Sequence, residues 1–124
     1  MAARDAACHA QVKQSGLRVG AAVVDEAGRT HPGCNVESDS YGLTICAERV
    51  AVFAALAAGA RQLRALAVSC PDAPAEDAAS RMPCGACRQI LEEYLASDGP
   101  IIVDGVGTYT PAELLPAAFR LDRV

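Results

Sequence analysis

Cys46-Ala47-Glu48-Arg49-Val50-Ala51-Val52-Phe53-Ala54-Ala55-Leu56-Ala57-Ala58 reads as one helix that opens on a thiol and a carboxylate and is closed by Gly59. Thirty-eight residues after Cys46 comes a second opening of the same kind, Pro83-Cys84-Gly85-Ala86-Cys87. The two segments supply three thiolates and one carboxylate, the parts of a hydrolytic zinc site. A structural zinc takes four protein ligands, whereas a catalytic one keeps three and leaves the fourth position to water. Three cysteines beside Glu48 fit the second arrangement.

Around these openings the chain alternates strands and helices. A short helix is predicted over 3–14, and 19–24 and 30–34 read as a hairpin around Asp25-Glu26-Ala27-Gly28. Residues 35–43 are polar and form a loop, after which Thr44 can cap the helix at 45–58. Then follow a strand at 65–69, a Pro- and Asp-rich loop at 71–83, a helix at 85–96 and a strand at 101–103. Thr110-Pro111-Ala112-Glu113 is a capping box with proline at the first helical position, so a final short helix is expected. This order implies an α/β sandwich with a mainly parallel or mixed sheet. Ligands in such folds gather at strand ends where helices begin. Exposed amides there stabilise thiolates.

The 124 residues make one domain, 1–124, with one core and no room for a separate substrate domain. The chain is 52% hydrophobic but only 4% aromatic, rich in alanine suited to close helix packing and to surfaces shared between subunits. A net charge of −4 and the lack of any basic run argue against a nucleic acid polymer or anionic membrane as partner, leaving a small molecule. No apolar run approaches the roughly 20 residues of a membrane span, and residues 1–10 lack the apolar block of a signal peptide. A cytoplasmic location with reduced thiols is therefore expected. Cys8, Cys34 and Cys70 lack ligand-like spacing and read as ordinary thiols.

The helix at 45–58 is apolar on every side but for Glu48 and Arg49, which predicts deep burial and demands partners for both charges. A zinc held by three thiolates keeps a formal charge of −1, which Arg49 can offset; a salt bridge to Glu48 or another carboxylate is the alternative. Glu48, two residues from Cys46, can reach a zinc-bound water without ligating the metal and shuttle its proton. The plainer reading makes it a helix-start carboxylate favoured by the dipole. A lone C-x-x-C also occurs in redox motifs and structural zinc knuckles. Here the upstream Cys-x-Glu and the helix starts sharpen it, and neither His9 nor His31 offers a fourth ligand.

With Cys46-x-Glu48 followed by Pro83-Cys84-x-x-Cys87, the chain carries the signature of zinc deaminases. The run from Gly33 through Cys34-Asn35-Val36-Glu37 to Arg49, together with Met82 to Gln89, resembles the small homotetrameric cytidine deaminases. The likeness extends to Val19-Gly20-Ala21-Ala22 and to Leu114-Leu115-Pro116-Ala117-Ala118-Phe119. It implies a three-layer α/β/α sandwich on a mixed five-stranded sheet, with zinc on Cys46, Cys84 and Cys87 and Glu48 as general acid and base. It also implies Arg49 bonding the ligand sulfurs, Asn35 and Glu37 gripping ribose hydroxyls and the Ala47 backbone meeting the base. Phe119 would cover a neighbour's pocket, or else serve as a core anchor. An amide and a carboxylate two apart on a strand end can bond a sugar diol on chemical grounds alone, although such pairs also cap loops.

Two departures from the family stand out. Gln14-Ser15-Gly16-Leu17 replaces the usual Tyr-Ser-x-Phe, so Leu17 stands where a ring stacks on the pyrimidine, a loss of about 1–3 kcal/mol by analogy with nucleic-acid sites. The first helix is short, and Ser38-Asp39 stands where small or amide residues are common. The expected activity is hydrolytic deamination of cytidine and deoxycytidine in pyrimidine salvage. Its rivals are a deaminase of another cytosine nucleoside, of the blasticidin type, and a noncatalytic zinc-stabilised assembly protein.

Overall fold

A computed structural model of the chain describes residues 1–121. Five strands form one sheet: β1 (Gly20–Asp25), β2 (Thr30–Cys34), β3 (Leu63–Ser69), β4 (Ile101–Val103) and β5 (Gly107–Tyr109), in the order β2-β1-β3-β4-β5. Only β3 and β4 run parallel; the other three pairings are antiparallel, so the sheet is mixed, as the family resemblance implies, and not mainly parallel. The helices are α1 (Ala2–Ala7), α2 (Ala47–Ala57), α3 (Gly85–Tyr94) and the short α4 (Pro111–Leu114).

Alternation along β1 sends its residues to two faces. Gly20 lies under α1, where an added Cβ would meet the backbone of Ala3 and Ala7, and Gly33, paired with Ala21, lies under α2. Helices thus cover both faces, and Ala21, Val23, Ala51, Val52, Leu66, Val68, Leu91, Ile101 and Val103 form the core. Small residues at both crossings let the helices sit close, which suits a chain with few aromatic rings.

Several boundaries differ from the sequence reading. Helix α1 stops at Ala7 because the following segment is captured in extended pairing: Gln11 N donates to Asn35 O at 3.0 Å and Glu37 N to Gln11 O at 2.9 Å. Thr44 does not cap α2. Ile45 exchanges two 3.0 Å backbone bonds with Val36, which keeps the chain extended to Cys46, and Thr44 Oγ1 instead accepts Ser38 N at 3.1 Å. Helix α2 is not buried all round, since Phe53 is 43% exposed and Ala54 and Ala57 face solvent. The sheet covers only its other side. Strand β5, Gly107-Thr108-Tyr109, lacks the apolar run that marked β4 and escaped the sequence reading, whereas the Thr110–Glu113 capping box is present in full.

Candidate functional site

Helices α2 and α3 both begin on a cysteine. Cys46 and Cys84 are the N-cap residues, and neither side chain caps its own helix, so both sulfurs remain available beside the exposed amides. Cys87 follows on the first turn of α3 and is fully buried. The three Sγ atoms lie within 4.8 Å of one another, with Cys46 and Cys84 3.6 Å apart. Zinc–thiolate bonds of about 2.3 Å in a tetrahedron place sulfurs about 3.8 Å apart, so both spacing and donor softness fit zinc.

Arg49 turns towards this cluster. Its Nη2 donates to Cys46 Sγ at 3.5 Å, its Nε is buried without a partner, and no carboxylate pairs with it among the described residues. The ion-pair alternative is therefore not what forms. Hydrogen bonds from the Cys87 thiol and then from Arg49 and Cys84 hold the Cys46 thiol below its ordinary range despite burial. The same bond to Cys46, together with burial, pushes Cys87 up. A cation on the cluster relieves this conflict, because coordinated thiols are deprotonated.

Glu48 is 4% exposed, and burial, followed by the Cys46 thiolate, raises its carboxyl to about 7. It lines a cavity of about 270 Å³, just under the usual 300–1,000 Å³ of ligand pockets. Leu17, Asn35, Glu37, Cys46, Ala47 and Cys84 share the cavity with it. The Pro83 loop that presents Cys84 is tied down by Arg88, which donates to Pro83 O at 2.7 Å and to Leu114 O at 2.9 Å.

The structure does not bring Phe119 to this cavity. It lies 66% exposed beside Gln89, Tyr94 and Arg120, with Gln89 Nε2 donating to its carbonyl at 3.1 Å, so it is not a core anchor. Eight lining residues were not identified from the sequence as site residues, among them Ser15, Cys70, Arg81 and Met82. Cys70 was the one within reach, because it directly follows β3 at the strand end where ligands gather. Arg81 ties the cavity's far wall together, donating to Ala73 O at 2.7 Å. Asp39 is occupied by Lys13 at 3.0 Å and Gln14 at 2.7 Å.

An α/β/α sandwich that gathers soft sulfurs and one buried carboxylate at two helix starts defines a zinc-dependent hydrolase. The comparisons narrow that class. The chain belongs to the family described as the cytidine and deoxycytidylate deaminase zinc-binding region, whose profile matches residues 1–101. It is 44% identical to a cytidine deaminase of Mycobacterium tuberculosis over 121 residues, 97% of this chain and 86% of that one. It is 40% identical to a cytidine deaminase of Sporosarcina psychrophila over 114 residues, 89% of this chain and 80% of that protein. A crystal structure of cytidine deaminase from Burkholderia pseudomallei superposes with a TM-score of 0.83 at 41% identity, covering 95% of this chain and 94% of that one.

Proposed function

We propose that this chain hydrolytically deaminates cytidine and deoxycytidine to uridine and deoxyuridine, releasing ammonia, as one catalytic domain spanning residues 1–124. The observation that carries the reading is the buried Glu48 lining one cavity with Cys46 and Cys84, two of the three clustered thiols. Cys46, Cys84 and Cys87 would hold the zinc, with Arg49 moderating the charge of Cys46. When bound, the zinc supplies the positive charge that makes a water molecule acidic near neutral pH.

Glu48 takes the proton of the water that attacks C4 of the ring and delivers it to ring N3. A second proton passes through Glu48 to the departing amine, so water and the aminopyrimidine yield the carbonyl and ammonia. Burial favours the protonated form of its carboxyl, which suits a group that takes up a proton and then returns it. The Ala47 backbone at the start of α2 meets the base, Leu17 closes over it, and Asn35 and Glu37 engage the sugar.

The exposed apolar face of α2 at Phe53 and Ala57, and exposed Phe119, support a homotetramer in which Phe119 reaches a neighbour's cavity. No helix among the described residues is long and apolar enough to cross a membrane. A cytoplasmic role in pyrimidine salvage accords with the acidic balance and a free nucleoside substrate. One observation favours a second reading. Leu17 is 38% exposed at the cavity where a ring is usual, which leaves room for a modified cytosine nucleoside.

Ammonia release by zinc-replete protein offered cytidine, deoxycytidine, cytosine and blasticidin S in parallel tests both readings. Turnover of the two nucleosides supports the first, turnover of blasticidin S alone the second, and silence on all four refutes both.

A further inference from the structure

Two segments far apart in the sequence line the cavity. Leu17 and Val19 belong to the lead-in to β1, and Val68 and Cys70 to the end of β3. Gly20 and Ser69 are the pair that closes the β1–β3 ladder at this end. Past them the spacing of the two cavity walls passes from the ladder to side chains. There Arg18 and Asp72 rejoin the segments. Arg18 N and Nε donate to Asp72 Oδ2 at 3.0 and 2.9 Å, and Nη2 donates to Oδ1 at 2.8 Å. One carboxylate thus takes both the backbone and the forked side chain of a single residue, which fixes direction as well as distance.

The residue fixed in this way stands between two that line the cavity. Leu17 and Val19 face inward, whereas Arg18 turns away to Asp72, the alternation of a chain about to enter a strand. Leu17 is 38% exposed and offers only an apolar side chain, so the backbone on either side holds it at the cavity. Its N–H donates to Ser15 Oγ at 3.0 Å and its carbonyl accepts Asn35 Nδ2 at 2.9 Å, which tie it to its own wall. Arg18 ties it to the other. Asp72 is a firm anchor for this. Ala73 N donates to Cys70 O at 3.2 Å, closing a turn around Pro71, whose ring fixes one backbone angle. Arg81 Nη2 donates to Ala73 O at 2.7 Å and to Pro74 O at 3.3 Å, holding the far side of the same turn.

We propose that Arg18 and Asp72 are positioning residues for the base: their pairing beyond the end of the β1–β3 ladder sets how far the Leu17 wall stands from the wall at Val68 and Cys70. It thereby sets how closely Leu17 meets the pyrimidine. This rests on the deaminase reading above, in which Leu17 closes over the ring. A leucine covers less of a flat ring than an aromatic side chain does, so its contact depends on being held at the right distance.

The test separates kcat from KM for cytidine and deoxycytidine on full-length, zinc-loaded protein. It compares the wild type with Arg18→Met, Arg18→Lys, Asp72→Ala, Leu17→Ala and the double variant Leu17→Ala/Arg18→Met. The Arg18 and Asp72 side chains are 45% and 27% exposed, so these changes leave the core intact, and denaturant midpoints check it. Calorimetry of the product uridine gives a readout independent of turnover. Arg18→Met keeps the length of the side chain and loses its charge; it raises KM for both nucleosides about five- to tenfold at little-changed kcat and weakens uridine to match. Asp72→Ala, which removes all three bonds, does at least as much. Arg18→Lys keeps the charge without the fork and falls between wild type and Arg18→Met. Leu17→Ala raises KM on its own, and adding Arg18→Met to it changes KM by less than about twofold, because the pair acts through Leu17. A folded Arg18→Met protein with wild-type KM, or losses that multiply in the double variant, overturns the proposal while leaving the deaminase reading intact. A wild type that turns over neither nucleoside overturns both.

Discussion

Replacing Gly33 with alanine puts a methyl group where the backbone of α2 already lies. The added Cβ would stand 2.6 Å from Ala47 O and 2.9 Å from Ala51 Cα, closer still to Ala51 N, against an ordinary contact of at least 3.4 Å. These neighbours are backbone atoms, so no rotamer change relieves them. The helix start must retreat from β2 by about 1 Å, and overpacking of this kind costs about 1–3 kcal/mol of stability. Ala47 lies between Cys46 and Glu48, so the same retreat displaces a proposed zinc ligand and the proposed proton shuttle together. A misplacement of about 1 Å at reacting groups can cost about a hundredfold in rate. Gly20→Ala is the control. Its Cβ would strike Ala3 and Ala7 in α1, which carries no cavity residue. Denaturant midpoints, zinc content and kcat/KM per folded molecule for both variants decide the matter. The expected outcome is comparable destabilisation, with a large loss of activity and zinc confined to Gly33→Ala. Full activity and zinc stoichiometry in that variant would refute the claim that the close crossing of β2 and α2 sets the site.

Further outcomes follow from the same structure. Arg49→Ala removes the donor to Cys46 and should weaken zinc about 10- to 100-fold, read by competition with a chromophoric chelator. Stripping zinc should lower the thermal midpoint reversibly, because the fold holds three thiols together only for a cation; at a hundredfold excess over Kd, zinc adds about 2.7 kcal/mol. Asp72, bonded by Arg18, is held at about 2 from an ordinary 3.8. A depressed acid stabilises the fold above its unfolded pKa, so this contribution is present above pH about 4 and is lost as pH falls through about 2. Asp72→Asn should therefore flatten that part of the acid limb in urea midpoints measured from pH 5 to 2, while Asp104, bonded by Arg4 and also held at about 2, keeps its share.

The chemistry-bearing part of the chain was the most legible. Cys46-x-Glu48 and Pro83-Cys84-x-x-Cys87 are local patterns, and periodicity put each near a helix start, although the cap read for the first of them was wrong. The β1–β2 hairpin and the α4 capping box were equally local. What the sequence hid depends on contacts between distant segments. Helix α1 was read too long because its own residues favour helix, while Asn35 and Glu37, more than twenty residues away, pull Gln11 into extended pairing. Thr44 looked like a cap until the Val36–Ile45 pairing claimed the backbone beside it. The all-round apolar character of α2 was read as burial, yet one face, with Phe53, stays exposed. Asn35 and Glu37 were identified as polar partners for a sugar, but their existing bonds to Ser15, Leu17 and Val19 have no sequence signature.

The central claim is that Glu48 moves the protons of a zinc-dependent deamination, and the most direct test is cytidine turnover by wild type and Glu48→Gln, each with measured zinc content. The account predicts that Glu48→Gln folds, retains stoichiometric zinc and loses about 10²- to 10⁴-fold in kcat. A Glu48→Gln protein that holds zinc and converts cytidine to uridine at the wild-type rate would contradict it.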